Sequence, residues 1–540
     1  MKTKNVRTTW AALLTAALLL APAVTWGQAT TKYGVRAGDA NVTKVNETSI
    51  TTGGAVGVDE SSLTTITIAP PAENKVAKVT VTKLTEAGTI PATAITISQA
   101  DSKTEVAIGG TLQLTATTTP SYANSTITWT SSNTALATVD NTGKVTGVAE
   151  GSVTITAKSS DNENVSASYT PLTVKVPYKD LSLYDNAGNE RSDKKMTTAN
   201  SYMVHTKGVW GIPLVYGNAI KGGEVNAAAY TGVSGTNTTA TFPNHAGNAI
   251  NAPWITKATN GTGVNKGMGI TVDGAALVWE DYSGLIKDGS LKIDGDYLTF
   301  ELTKDATSQE GNAVIAAKSG STIVWSWHIW VTNQTFATTT SVNTGSHIYN
   351  VAPVNLGWVG SNSTNTFYQW GRKDPFKGSG NVTTAAGGAS TSIADNIKNP
   401  AKFYTNNGSP CSTTYYNMWD AQNTATSNVA TATKKTVYDP CPPGFCVPTG
   451  NLYYYMVDGN TKQDSNWNNN GKTFNGIFFP ASSYRNNSSG TLGNVGSDGY
   501  YWSASPTSSD SGYTLHFNSS TWDWGNFYRA FGIPVRAVAE

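Results

Sequence analysis

Apolar and polar residues alternate with a period of two along much of the chain, as strands with one buried face require. The pattern is sharpest between residues 91 and 177. Leu112-Gln113-Leu114-Thr115-Ala116 alternates, and Ile127-Thr128-Trp129-Thr130 carries one large ring on the next strand. Ala137-Thr138-Val139 and Val145-Thr146-Gly147 flank Asn141-Thr142-Gly143, a hairpin pattern with Gly at the tight position. Ile95-Thr96-Ile97, the positions Gly151, Val153, Ile155 and Ala157, and Leu172-Thr173-Val174 add strands, and Pro120 adds a turn. Short strands at this spacing predict a β-sandwich.

Residues 178–335 carry longer apolar runs, among them Tyr202-Met203-Val204, Leu298-Thr299-Phe300-Glu301-Leu302 and Ala313-Val314-Ile315-Ala316-Ala317. Ile323-Val324-Trp325-Ser326-Trp327-His328-Ile329-Trp330-Val331 is apolar at nearly every position, which predicts a central strand buried on both faces. Residues 30–90 hold no sustained period, although Ala77, Val79 and Val81 alternate with Lys78, Thr80 and Thr82 as one strand would. That segment reads as a stalk or a strand-donating arm, since a solitary strand must find a partner edge. At the start, Lys2, Lys4 and Arg7 precede an apolar run from Trp10 to Leu20 and the small residues of Ala21-Pro22-Ala23 and Gly27-Gln28-Ala29. This is the pattern of a secretory signal peptide over residues 1–29. The run is short of the ~20 apolar residues a membrane span needs. No Cys follows it to take a lipid, and no membrane span is expected after the signal is removed.

Composition narrows the picture. The 540 residues include 37 Lys and Arg against 36 Asp and Glu, a formal charge of +1, which argues against a nucleic-acid binder with its basic patch or stripe. Charged residues make up 14%, against about 25% in an average soluble domain. Thr, Ser, Asn, Gly and aromatic residues take their place, the composition of exported β-proteins rather than of a cytosolic helical enzyme. Cys411, Cys441 and Cys446 permit a disulfide in an exported chain but leave one thiol over. A small local staple among them is the simplest reading. Their spacing suits no metal, and no cofactor is expected.

Three stretches carry resemblances. Gly110, Leu112, Leu114, Ile127-Thr128-Trp129-Thr130-Ser131-Ser132-Asn133, Ala137-Thr138-Val139-Asp140, Gly143, Val145, Gly147, Gly151, Val153, Ile155 and Ala157 resemble the bacterial immunoglobulin-like domain, group 2. The resemblance covers residues 91–177 and implies a spacer or adhesive unit of a bacterial surface protein, with Trp129 as its core plug. Gly311-Asn312-Ala313-Val314-Ile315-Ala316 and Trp325-Ser326-Trp327-His328 resemble fimbrillin-like exported proteins of Bacteroidetes, which implies a β-sandwich over residues 178–335.

The third resemblance rests on ordered blocks. They are Tyr368-Gln369-Trp370-Gly371-Arg372-Lys373-Asp374-Pro375-Phe376, Tyr438-Asp439-Pro440-Cys441-Pro442-Pro443-Gly444-Phe445-Cys446, Phe479-Pro480-Ala481, Gly499-Tyr500-Tyr501-Trp502-Ser503-Ala504-Ser505 and Pro534-Val535-Arg536-Ala537-Val538. Together they resemble the major paralogous (FISUMP-type) domain of Bacteroidetes and Fibrobacter surface proteins. The resemblance implies a C-type-lectin-like α+β domain over residues 336–540. Cys446 stands where that family usually has a basic residue, and Ala537 where it has Cys. A local Cys441–Cys446 bridge becomes the alternative to the family's disulfide. The expected fold class is therefore mainly β: tandem Ig-like β-sandwiches followed by a C-type-lectin-like α+β domain.

No catalytic signature stands out. The five His (His205, His245, His328, His347 and His516) are scattered, and His328 reads as a hydrogen-bonded core residue. Asp420, Asp439, Asp498 and Asp523 lie among aromatic residues as glycosidase carboxylates do, without a pair at a defined separation. Flat rings beside short polar side chains do suit a sugar. Trp522-Asp523-Trp524 puts both indoles on one face of a strand; Asn526 follows, Trp502 precedes, and Trp467 is flanked by Asn468, Asn469 and Asn470. The candidate ligand-binding residues are thus Trp467, Trp502, Trp522, Asp523, Trp524 and Asn526, set against the alternative that these rings cover a core. The Glu-Pro-Asn-like and Trp-Asn-Asp motifs of calcium-dependent lectins are missing, so no metal is expected.

The expected function is an exported, non-enzymatic surface adhesin, as a fimbrial tip or accessory subunit. Its partners would be a host or microbial glycan, a surface protein, or other fimbrial subunits. A secreted or surface glycan-binding protein for polysaccharide capture is the alternative. An enzyme akin to the lectin-fold sulfatase activators, which needs a reactive Cys pair, is a second.

Overall fold

The computed structural model describes residues 91–540 except 120, 122, 124, 236–237, 361–364, 388–390, 406–414, 425–431 and 459–466. Before residue 91 it gives only the backbones of short strands such as Thr15–Ala21 and Lys32–Arg36. The expected signal peptide (1–29), the stalk (30–90), the Pro120 turn and Cys411 otherwise lie outside the described residues. The chain divides after Pro177 into two compact units, and strands predominate in both.

In the first unit the strands are β1 (Ala94–Ser98), β2 (Glu105–Ala107), β3 (Thr111–Gln113), β4 (Thr115–Thr119) and β5 (Ile127–Ser131), then β6 (Ala137–Val139), β7 (Lys144–Gly147), β8 (Gly151–Ser159) and β9 (Ser166–Lys175). β5-β8-β9-β2 form one sheet, β3-β7-β6 a second, and β4-β1 a ribbon. Val106, Leu112, Leu114, Val145, Val153, Ile155, Leu172 and Val174 meet in one aliphatic core.

The run Leu112–Ala116, expected as a single strand, is split at Leu114. β3 pairs with β7 while β4 pairs with β1, and the fully buried Leu114 marks the crossing from one sheet to the other. Its N–H donates to the carbonyl of Gly143 at 3.0 Å. Gly143 has φ +83°, and a Cβ there would lie 2.5 Å from the Leu114 carbonyl oxygen and 2.8 Å from the Trp129 ring. Only glycine fits this turn. Trp129 is half-buried and packs at the margin of the core rather than filling its centre.

The second unit opens with β10 (Lys179–Asp180), β11 (Ser201–Val204), β12 (Gly208–Pro213) and β13 (Gly274–Glu280), followed by β14 (Lys292–Asp294), β15 (Tyr297–Leu302), β16 (Gly311–Ser319) and β17 (Thr322–Val331). These make two four-stranded sheets, β10-β12-β15-β14 and β11-β17-β16-β13. β17 is an inner strand, and every residue from Val324 to Val331 is buried, as its unbroken apolar run predicts. His328 sits within it, its ring nitrogens 3.0 Å from Ser201 Oγ and 2.9 Å from Asn312 Oδ1.

The chain continues through β18 (Thr340–Asn343), β19 (Ile348–Val351), α1 (Ile393–Lys398), β20 (Phe445–Cys446) and α2 (Gly450–Val457), then β21 (Asp498–Pro506), β22 (Ser511–Asn518), β23 (Trp522–Tyr528) and β24 (Val538–Ala539). One core joins Trp210, Phe300, Trp325 and Trp327 to Trp370, Trp419, Trp502 and Val535, so residues 178–335 and 336–540 share an interior. A smaller core gathers Tyr349, Cys446, Leu452, Tyr501, Phe517 and Trp522.

Much of this unit is loop, and loops leave carbonyl groups without ladder partners. Buried arginines supply the donors. Arg536 donates to the carbonyls of Ala352, Pro353 and Phe478 at 3.2, 3.1 and 2.9 Å and to Asn355 Oδ1 at 2.8 Å. Arg485 donates to the carbonyls of Lys377, Ser379, Gly380 and Gly490. Each guanidinium also lies over a ring: Arg536 over Phe479 at 4.6 Å, Arg485 over Phe367 at 5.7 Å and Arg529 over Trp370 at 4.1 Å. The planar five-donor fork and its affinity for aromatic faces make arginine the residue that can do both.

The local bridge considered between Cys441 and Cys446 does not form: both are buried free thiols. Cys441 belongs to the larger core and Cys446 to the smaller one, so their side chains serve different interiors. The loop between them is held instead by Lys435, whose Nζ donates to the carbonyls of Cys441, Pro442 and Phe445 at 2.9, 3.0 and 2.5 Å.

Candidate ligand-binding surface

β21, β22 and β23 form an antiparallel sheet in that order, with β23 at one edge. Cross-strand partners point to the same side. The pairs Phe517 with Trp522, Leu515 with Trp524, and Tyr513 with Asn526 define one face; His516 with Asp523, Thr514 with Gly525, and Gly512 with Phe527 define the other. The first face meets α2 and the smaller core, to which Leu515, Phe517 and Trp522 belong, and Tyr500, Trp502 and Phe527 on the second belong to or pack on the larger core.

Trp522 and Trp524 therefore share a face, but not an environment. Trp522 is buried, stacked on Phe517 at 5.2 Å and Phe474 at 6.3 Å, with its Nε1 donating to the Met456 carbonyl at 2.7 Å. Trp524 is half-exposed. Its ring lies 4.8 Å from Tyr513 at a 30° tilt and meets Tyr454 of α2 edge-on at 5.3 Å. Tyr454 is 43% exposed, and Asn526 is exposed beside Tyr513.

The other candidates lie elsewhere. Trp502 is fully buried and donates from Nε1 to the Tyr368 carbonyl at 2.8 Å, so it is a core residue that no ligand reaches. Asp523 is exposed, on the opposite face. Trp467 meets Phe517 at 6.5 Å, at the far end of β22 from Tyr513, about 13 Å along the strand at its usual rise. Of the six residues, Trp524 and Asn526 stay together. Tyr454 and Tyr513 join them unforeseen. Tyr513 was legible in its alternation with Leu515 and Phe517, whereas nothing local in α2 marks Tyr454.

The platform of Trp524, Tyr513 and Tyr454 offers ring faces with hydroxyl groups and the Asn526 amide beside them. Such rings carry apolar bodies with polar tips, and the amide both donates and accepts. That combination suits the apolar face and the hydroxyls of a sugar.

Several buried titratable groups are committed to structure. Asp420 accepts from the N–H groups of Gln422 and Lys434 at 3.2 and 3.0 Å, and burial pushes its pKa up to about 6. Asp439 accepts from the N–H groups of Cys441 and Val447 at 2.8 and 2.9 Å. Burial holds His328 down to about 3. A cleft of about 190 Å³ is lined by Asp281, Tyr282, Glu310 and Asn312 among others. Its carboxylates are engaged, Asp281 by the Asn312 N–H and amide at 2.6 and 2.8 Å, Glu310 by Thr332 Oγ1 and the Asn333 N–H at 3.1 and 2.8 Å. Among the described residues no group of three or more His, Cys, Asp and Glu side chains is arranged to hold a metal, and no helix is long and apolar enough to cross a membrane.

Comparison with known proteins decides one stretch of the first unit. Residues 91–168 match the family described as Bacterial Ig-like domain (group 2). This stretch is a bacterial Ig-like domain. An uncharacterized protein of Clostridium acetobutylicum is 46% identical over 80 residues, 15% of this chain and 8% of that protein. A 3-O-alpha-D-galactosyl-alpha-L-arabinofuranosidase of Bifidobacterium longum subsp. longum is 52% identical over 61 residues, 11% of this chain and 5% of the enzyme. The chain thus spans less than a tenth of either relative's length. Among solved structures, an intimin mutant of EHEC O157:H7 is 31% identical, covering 15% of this chain and 46% of that one, with a TM-score of 0.13. The S-layer protein rSbsC is 14% identical, covering 65% of this chain and 41% of that one, with a TM-score of 0.14. Beyond the Ig-like domain, the fimbrillin-like and lectin-like resemblances rest on their sequence blocks alone.

Proposed function

We propose that this chain is an exported, surface-associated adhesin that acts without catalysis. The Ig-like domain serves as a spacer, and the Tyr178–Glu540 unit holds a glycan. The observation that carries this reading is the half-exposed Trp524, set with Tyr513 and Tyr454 into a platform beside Asn526. A cluster of surface rings rimmed by polar groups is the kind of patch that marks a ligand or partner surface.

The cysteine chemistry of a sulfatase-activator-like enzyme is disfavoured by the same fold, because burial raises both described thiols well above their ordinary range. Thiolate is the reactive form, and neither side chain offers it. Between a fimbrial subunit and a polysaccharide-capture protein, the adhesive role agrees with the Ig-like spacer.

The test is binding of the full chain to an immobilised glycan panel, with Trp524→Ala alongside. Binding should be lost at least tenfold in the variant while its thermal midpoint moves little. A wild-type chain that retains no glycan, or a variant that binds unchanged, would refute the platform.

A further inference from the structure

Each strand of the β21-β22-β23 sheet holds one glycine, and the surroundings explain two of them. A Cβ at Gly499 would lie 2.1 Å from the Phe517 ring, and one at Gly512 would lie 2.8 Å from the Trp370 ring. Both are glycine because a ring occupies the space. Gly525 has no such reason. Among the described residues a Cβ there would meet no atom within 4 Å, and its φ lies outside the left-handed region.

Glycine inside a strand weakens it and marks a bulge or the close approach of a ligand or another backbone. No bulge interrupts β23. Gly525 sits opposite Thr514 in a ladder unbroken from Ser511–Tyr528 to Phe517–Trp522. An approach from outside, by a ligand or by another backbone, gives this glycine a use, and departures from local preference without a structural reason are expected where a protein functions.

The face around Gly525 has sugar-binding chemistry. Asp523 is exposed on one side and Phe527 is half-buried on the other. His516 stands across the ladder from Asp523, stacked on Tyr500 at 4.4 Å and 17°, with Nε2 3.4 Å from Asp498 Oδ1. Phe527 meets Tyr500 and Phe531 edge-on at 4.7 and 5.4 Å.

We propose that the open notch over Gly525, between Asp523, His516 and Phe527, is a second saccharide subsite, on the sheet face opposite Trp524, that takes a neutral sugar. This rests on the reading of the unit as glycan-binding. The bare backbone lets a pyranose seat against the strand, Phe527 offers a ring edge or face, and Asp523 accepts from hydroxyls. The exposed Asp523 carboxylate repels an anionic sugar, because like charges brought together across a binding surface oppose association.

The test is the full chain and its Gly525→Val variant, probed with immobilised neutral oligosaccharides and with their sialylated and sulfated forms. A branched side chain fills the notch while suiting a strand better than glycine does, so the thermal midpoint should hold or rise. Affinity for neutral oligosaccharides should fall at least tenfold, and Gly525→Ala should show a smaller loss. Binding that survives Gly525→Val but disappears in Trp524→Ala would overturn the notch alone. Wild-type preference for the anionic forms would also overturn it, and a wild-type chain that binds no glycan would remove both subsites together.

Discussion

The two units build an interior from different materials. The Ig-like domain packs small aliphatic side chains, Val106, Leu112, Leu114, Val153, Ile155 and Leu172 among them, and satisfies its backbone through regular ladders. The Tyr178–Glu540 unit packs indoles and phenols, and ties its loops with Arg485, Arg529 and Arg536 laid over aromatic rings. Regular strands need only alternation. A loop-rich unit needs a buried donor wherever two carbonyl groups turn inward, and charged groups survive burial only when their hydrogen bonds are met. The first interior should therefore lose stability in proportion to the side chain trimmed, and the second should fail at single polar residues.

The largest effect is expected at Arg536. Arg536→Met keeps the stem but strips the donors from Ala352, Pro353, Phe478 and Asn355. Unsatisfied buried groups of this kind cost about 1–3 kcal/mol each, and the second unit should lose roughly 3–5 kcal/mol in denaturant unfolding. Arg536→Lys should rescue little, since one ammonium cannot reach four acceptors. An unchanged unfolding midpoint would erase the contrast between the units.

Acidity separates the units next. His328 has its folded pKa pushed down to about 3, so the unfolded chain takes the proton first. Its contribution is complete above the ordinary imidazole range and is lost as pH falls toward 3. Asp420 runs the other way. With its folded pKa raised to about 6, its contribution is complete below the ordinary carboxylate range and is lost as pH rises through 6. Each changes stability by about 1.4 kcal/mol per pH unit inside its window, and between roughly pH 4 and 6 the two oppose. Asp420→Asn removes one side. In that variant the second unit should weaken steadily on acidification from pH 6, while wild type changes less over the same range. Parallel pH profiles for the two proteins would contradict the Asp420 assignment.

Trp129→Ala tests the first unit by itself. Full removal of a buried aromatic costs about 3–5 kcal/mol; the half-buried ring against Gly143 should cost about 2–3 kcal/mol by the same scale. Glycan binding should be untouched. Loss of binding together with Ig-like stability would show that the units do not work independently.

The smallest effect is expected from the thiols. Because Cys441 and Cys446 are free and buried, a thiol reagent should label them only after denaturation. Rapid labelling of either in the native protein would place it at the surface.

The Ig-like domain was readable residue by residue. The alternation of Val153, Ile155 and Ala157 named the buried face of β8, and Gly143 named the turn. The strand Glu105–Ala107, the marginal place of Trp129 and the split at Leu114 were hidden, the last because a residue that hands a strand from one sheet to the other looks like any alternating position. β17 was readable too, as a nine-residue run apolar or small at every position but His328 has only a doubly buried place to go. The candidate site was half readable. Alternation put Trp522 and Trp524 on one face, and could not say that Phe474 and Phe517 would bury the first and Tyr454 leave the second half-open.

Period, turn chemistry and composition are local, and they settled the strands, the β class and the Ig-like domain before any contact was known. Which ring stays wet, which cysteine serves which core, and which carbonyl groups an arginine reaches depend on segments far apart in the chain. Side-chain burial is set by whatever packs on top, and that neighbour has no signature at the residue it covers. Gly525 shows the limit most plainly: as a letter it is one glycine among many, and only the empty space above it makes it informative.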